Sequence, residues 1–385
     1  MPLHFTPEEL AGRRKRAIAS MQKQGLDGLL MFRQESMYYL TGYDTFGYVF
    51  FQCLVLNADG RLTLLTRAPD LRQARYTSMI EDIRIWKDAP DADPARTDLR
   101  PILEEHGLKG KRLGVEWDAY GLTARNGRRL TAALEGFARL EDASEVVTRL
   151  RVIKSPAELA YVRKAAALAD AALAEAHALA KPGGFEGDIL AAMQGAVFRG
   201  DGDYSGNEFI IGSGGGAMLG RYHAGRRTLG DDDQLTLEFA GVYRHYHSCL
   251  MTSIKIGKRN KKHEDAFKVG LDCLRAVQGA LKPGATYGEV YDVYAWTVEK
   301  GGYGATKLNA CGYSLGATYA PNWMDWPMLY RGNPVVVEPG MVIFSHMDVR
   351  DDQHGIMATP GETVLITDKG AEPLTKTPIA YVVKA

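Results

Sequence analysis

The helix-opening phrase Ser/Thr-Pro-x-Glu occurs twice, at Thr6-Pro7-Glu8-Glu9 and at Ser155-Pro156-Ala157-Glu158, and it divides the chain. In each copy the hydroxyl residue suits the N-cap and the proline suits the first helical position, where its missing N–H is no loss. The glutamate falls at the third position, where it can return a hydrogen bond to the cap. The first copy opens an amphipathic helix with Leu10, Ile18 and Met21 on one side; the second opens a long Ala-rich helix that runs to Ala180 and stops at Lys181-Pro182-Gly183-Gly184. A boundary belongs just before the second copy, giving domains of residues 1–150 and 151–385. Since 45% of the 385 residues are hydrophobic, both can bury a core.

Within the first domain, the runs LDGLLMF, FFQCLVL and RLTLLTR read as strands, the last two joined by an NADG turn as a β-hairpin. RLGVEWD reads as a further strand and Thr123 to Leu134 as a helix, so the domain alternates strand and helix in the α/β manner. The second domain runs helix, Gly-rich stretch, two apolar runs (QLTLEFAGVY and LMTSIKIG), helices from about Glu264 to Lys300, then MVIFSHMDV and ETVLITD. That order predicts an α+β domain of antiparallel strands and helix pairs. The phrase Lys-Pro-Gly recurs, at residues 181–183 and 282–284, each after a helix. It is either the trace of a duplicated half-domain or an ordinary helix stop.

Charge and cysteine usage exclude whole classes of function. Lys and Arg total 47 against 47 Asp and Glu, which gives no electrostatic reason to expect nucleic acid or an anionic membrane as partner. The four cysteines, Cys53, Cys249, Cys273 and Cys311, are scattered and form no CxxC pair, so neither a disulfide framework nor a zinc knuckle is expected. No apolar core follows the basic N-terminal residues and no apolar run approaches ~18 residues; the expected location is the cytoplasm.

Two local phrases invite chemistry and do not carry it. GSGGGAMLG lacks both phosphate-loop spacings, and no nucleotide site is expected there. Gly312-Tyr313-Ser314-Leu315-Gly316 has the spacing of a nucleophile elbow, but KLNAC precedes it and a Pro- and Trp-rich stretch follows, not the required strand and helix.

More informative are Arg221-Tyr222-His223-Ala224, then Glu238-Phe239-Ala240-Gly241-Val242-Tyr243-Arg244-His245-Tyr246-His247, then Gly312 to Gly316, Glu338-Pro339-Gly340-Met341-Val342 and Glu362-Thr363-Val364-Leu365-Ile366-Thr367. In order and spacing these resemble the pita-bread fold of the creatinase, prolidase and methionine aminopeptidase family. The resemblance spans essentially the whole chain and implies a creatinase-like α/β domain followed by an α+β pita-bread domain.

The metallopeptidases of that family bind two metal ions through two Asp, one His and two Glu. At the corresponding positions this chain has Glu238, Cys249, Tyr313, His346 and Gly361, with Glu362 next door. That set does not rebuild a dinuclear centre, so no metal and no cofactor is expected; a single zinc on Glu238, Cys249 and His346 is the alternative.

Within the metal-free branch, the chain is most similar to ectoine hydrolases, which open a cyclic amidine. The matching phrases are Thr41-Gly42-Tyr43-Asp44, Glu238 in E-x-A-G-V-Y, and Gly312-Tyr313 leading to Tyr319, Pro321 and Trp323. Leu250, where creatinases keep a distinctive glutamate, argues against creatine. The resemblance implies a metal-independent C–N hydrolase with Glu238 as nucleophile or base, Glu362 as the second carboxylate and His223 as proton shuttle. It implies substrate contacts from His247, Tyr313, Tyr319, Trp323 and His346, with Tyr43 or Phe46 reaching in from a partner subunit of a homodimer. The strand reading puts His245 and His247 on one face. Competing expectations are a creatinase-like amidinohydrolase on another small substrate, a one-metal Xaa-Pro dipeptidase and a catalytically silent binding module.

Overall fold

In the computed structural model, residues 3–221 and 225–385 are described, and every count below is of those residues. The chain divides into two compact units, Met1–Arg151 and Val152–Ala385.

The first unit is a mixed six-stranded sheet wrapped by helices. Its strands are β1 (Gly28–Met31), β2 (Cys53–Asn57), β3 (Leu62–Arg67), β4 (Asp82–Trp86), β5 (Arg112–Val115) and β6 (Arg139–Asp142), in the order β4-β3-β2-β1-β5-β6. The hairpin read from NADG is β2 against β3, antiparallel, with Leu56 opposite Leu62. β1 is central, antiparallel to β2 and parallel to β5, and its four residues are all buried.

The helices α1 (Pro7–Lys23), α2 (Gln34–Thr41), α3 (Leu71–Thr77), α4 (Arg100–Glu105), α5 (Ala124–Leu134) and α6 (Val146–Leu150) complete the unit. Thr6 caps α1 by accepting the Glu9 N–H, and Glu9 Oε1 accepts from the Arg13 guanidinium at 2.7 Å. Arg13 is wholly buried, stacked over Phe5 and Tyr39, and takes a place on the inner face of α1 beside Leu10, Ala17 and Met21. Ile18 lies only partly buried.

In the second unit, α7 (Pro156–Leu179) and α8 (Glu186–Arg199) form one helix pair, and α9 (Lys261–Ala280) and α10 (Tyr287–Lys300) another. Ser155 and Glu158 form the full reciprocal cap on α7. The sheet strands are β7 (Ile210–Ser213), β8 (Asp233–Tyr243), β9 (Tyr246–Ile256), β10 (Ala310–Ser314), β11 (Asp325–Tyr330) and β12 (Val342–His346). After the short pair β13 (Val349–Asp351) and β14 (Ile356–Ala358) come β15 (Gly361–Thr367), β16 (Gly370–Pro373) and β17 (Val382–Lys384). The nine-stranded sheet runs β11-β10-β12-β15-β9-β8-β7, with β16 on β15 and β17 on β9.

The two Lys-Pro-Gly turns prove equivalent in their hydrogen bonds. The Gly183 N–H donates to the Leu229 carbonyl, Leu229 returns a bond to Gly184, and Glu186 donates to Arg227, at 2.8–2.9 Å. Gly284 with Val337, Val337 with Ala285, and Tyr287 with Val335 repeat the pattern at 2.8–3.0 Å. Both turn glycines have positive φ, 79° and 93°, where a side chain would be strained. The two turns are thus locally equivalent, each following the first helix of a helix pair.

Candidate active site

The core of the site is the inner face of the second unit's sheet. In the β8–β9 ladder Glu238 lies opposite Met251, and Met251 lies opposite Gly361 of β15, which in turn lies opposite His346 of β12. Residues paired across neighbouring strands share a face. Glu238, Met251 and His346 therefore converge, joined by Tyr313 from β10, on a cavity of about 300 Å³. Trp323, Asn207, Asn309, Asn322, Arg221 and Asp348 also line it.

A short chain of hydrogen bonds crosses this cavity. The indole Nε1 of Trp323 donates to the Tyr313 hydroxyl at 2.8 Å, and that hydroxyl donates to Glu238 Oε1 at 3.4 Å. Burial holds the Tyr313 phenol well above its ordinary pKa, and the neighbouring Glu238 and Cys249 add to the effect, so Tyr313 is a donor throughout the neutral range. Burial pushes the Glu238 carboxyl up to about 8, with the nearby charge of Asp348 adding to the rise; Arg221 opposes it. Asp348 is raised to about 6, again chiefly by burial, and His346 is lowered to about 4 by burial and by Arg221, which leaves its ring neutral. The cavity thus holds two carboxyl groups of displaced acidity beside a neutral imidazole and a phenol, a set suited to proton transfer.

Glu362 is not part of this site. It follows Gly361 on β15, so its side chain emerges on the other face of the sheet, where Gln278 of α9 donates to Oε2 at 2.9 Å and Thr375 to Oε1 at 2.6 Å. The family resemblance implied a place beside Glu238; the one-residue alternation of a strand puts it behind the sheet instead.

His247 is also absent from the cavity wall. Its Nε2 accepts the Gly206 N–H at 2.8 Å, so Nδ1 bears the proton and faces Thr318 Oγ1 at 3.2 Å, and burial lowers the ring to about 4. This is a neutral structural histidine. His245 does not share its strand face, because Arg244 and His245, both at positive φ, form the two-residue β8–β9 turn, and His245 stacks on Tyr319 at 4.2 Å. Tyr319 is not among the residues that line the cavity.

In the first unit, Tyr43 is enclosed in the unit's own core, its hydroxyl 3.3 Å from Thr66 Oγ1, and is therefore not presented at a surface. Phe46, by contrast, is 72% exposed. His223 lies outside the described residues.

Of the residues expected at the site, Glu238, Tyr313, Trp323 and His346 come together. Sequence reasoning missed Asp348, which lies between β12 and β13, two residues after His346.

The family's dinuclear metal centre does not fit these residues. Gly361 offers no donor, and a Cβ built there would meet Met251 Cβ at 2.9 Å and His346 Cα at 3.2 Å, so a longer side chain has no room. Tyr313 is committed to Trp323 and Glu238. Cys249 is wholly buried, with its thiol well above the range in which thiolate forms. Among the described residues no three His, Cys, Asp or Glu side chains converge as metal ligands.

Comparison with known proteins matches the metallopeptidase family M24 to residues 160–368 and the creatinase/prolidase N-terminal domain to residues 13–153. An uncharacterized hydrolase/peptidase of Sinorhizobium fredii is 29% identical, covering 99% of both chains. The ectoine hydrolase of Halomonas elongata is 27% identical, again over 99% of each. The prolidase of Thermococcus sibiricus superposes with a TM-score of 0.87 at 19% identity, covering 98% of this chain and 100% of that one.

Proposed function

The chain belongs to the M24 metallopeptidase family, with a creatinase-type domain ahead of a pita-bread catalytic domain, and from that premise we propose a metal-independent hydrolase that opens a small cyclic amidine such as ectoine. The observation that carries this reading is the exchange made at the former metal face. Gly361 is shut against Met251, while Glu238, carrying a hydrogen bond from Tyr313, faces a small cavity beside a second carboxyl, Asp348. The 27% identity to an ectoine hydrolase over the full chain supports the same substrate class.

An amidinium carbon already bears positive charge, so a carboxylate can either add to it or activate a water against it. Overall one water is consumed. Its oxygen becomes the carbonyl of the new amide, the ring C–N bond breaks, and both water protons end on the departing nitrogen as ammonium. Glu238 is the attacking or water-activating carboxylate in this scheme, and His223 carries the proton to the leaving nitrogen. Binding of a cation next to Glu238 favours the ionised carboxylate and so offsets the burial that otherwise keeps it protonated. The reading includes a homodimer in which exposed Phe46 belongs to the subunit contact.

The test is turnover by chelator-treated protein. Ring opening of ectoine, followed by NMR and unaffected by chelator, is the expected result. Hydrolysis of an Xaa-Pro dipeptide that requires added manganese or cobalt would overturn the reading in favour of a peptidase.

A further inference from the structure

We propose that Asp348 receives the cationic end of the substrate, and that the site therefore selects small ligands whose positive charge is spread over an N–C–N group. This inference rests on the amidine-hydrolase reading and specifies how that substrate is recognised.

Asp348 lies on the stretch between β12 and β13 and lines the same cavity as Glu238, Tyr313, Trp323 and His346. Its Oδ1 is shielded from solvent and accepts no hydrogen bond from any described residue. No Lys, Arg or His among the described residues forms an ion pair with it; Arg350, whose charge acts on Asp348 from nearby, makes its contact with Asp352, at 2.9 Å. A shielded carboxylate oxygen without a donor is costly to maintain, and such groups persist where a ligand completes them. Of the cavity's two acids, Glu238 accepts from Tyr313 at Oε1, whereas Asp348 Oδ1 receives no donor from any described residue.

The other Asp348 oxygen, Oδ2, lies beside Gly220, where a Cβ would stand 3.8 Å away, and Gly220 lines the same cavity. An amidinium presents two N–H groups side by side, which a carboxylate can accept together, whereas a neutral amide or an apolar side chain offers no such pair. A volume of about 300 Å³ lies at the small end of ligand pockets and suits a small ring. Glu362 cannot take this role, because Gln278 and Thr375 occupy both of its oxygens behind the sheet.

The experiment is calorimetric titration of ectoine and of acetamidinium into chelator-treated wild type, Asp348→Asn and Glu362→Gln, with ectoine KM and kcat measured on the same preparations. Asparagine keeps the shape of the side chain and removes its charge. We expect Asp348→Asn to weaken both ligands about tenfold or more and to raise KM by a similar factor, with a melting temperature no lower than wild type. Ectoine turnover by wild type with an unchanged KM in Asp348→Asn would overturn this assignment alone, as would a larger loss of binding in Glu362→Gln. Wild-type protein that neither binds nor opens ectoine would overturn the amidine reading and this assignment together. A variant that fails to fold is replaced by Asp348→Ser, judged by the same acetamidinium titration.

Discussion

Gly361 and Glu362 are neighbours in sequence and stand on opposite faces of the nine-stranded sheet. Gly361 turns toward Met251 and His346 on the cavity side, and Glu362 toward Gln278 and Thr375 behind it. The close approach at Gly361 gives the first prediction. In Gly361→Ala the new methyl meets Met251 Cβ at 2.9 Å and His346 Cα and Cβ at 3.2 Å, and none of these can move without its backbone. Overpacking of this kind costs about 1–3 kcal/mol, read as a lowered denaturation midpoint at unchanged m-value. A midpoint equal to wild type would show that the β9–β15–β12 stack yields easily.

Catalysis should depend on Glu238. Glu238→Gln keeps the side-chain shape and removes its nucleophilic and basic character, so ectoine turnover should fall by at least about 10²-fold. Unchanged turnover by a folded variant would remove Glu238 from the mechanism and favour a binding module.

The same carboxyl sets a pH profile. If its ionised form attacks, kcat/KM should rise with pH along an acid limb whose midpoint lies near the free-enzyme value of about 8, dropping about tenfold per pH unit well below it. A limb near 4.5, the ordinary glutamate value, would mean that Glu238 is solvated and not tuned by burial.

Stability should respond in the opposite sense. Between pH 4.5 and about 8 the folded chain keeps a proton on Glu238 that the unfolded chain has lost, so stability from this group is full below 4.5 and declines as pH rises through about 8. The slope is at most about 1.4 kcal/mol per pH unit. Asp348, raised to about 6, contributes in the same direction over a narrower window. Glu238→Gln has no proton to lose, so its stability relative to wild type should increase from pH 5 to pH 8 in chemical denaturation; a constant difference would contradict the burial of this group.

His247 should matter for folding. Replacing it with alanine leaves the Gly206 N–H without its acceptor and a void beside Thr318, at a cost of about 2–4 kcal/mol. Because the ring is outside the cavity wall, KM for ectoine should change far less than it does in Asp348→Asn; a loss of equal size in KM would return His247 to the substrate contacts.

What the sequence determined by itself is what short-range energetics determine. The caps at Thr6 and Ser155, the hairpin at Asn57, the helix stops at the two Lys-Pro-Gly turns, and Glu238 within its strand are legible because each depends on residues a few places apart. Facing is different. Whether Glu362 or Gly361 looks into the cavity depends on the register of β15 against β9 and β12, set by partners about 110 and 15 residues away, and a shift of one residue reverses every side chain on the strand. Distant partners such as Thr66 likewise hid the burial of Tyr43; the turn at His245 is local, but Arg244-His245 carries no Asn-Gly or Asp-Gly signal. Asp348 was hidden as well, since its role is decided by which donors fail to reach it, and that is visible only once the chain has folded around it.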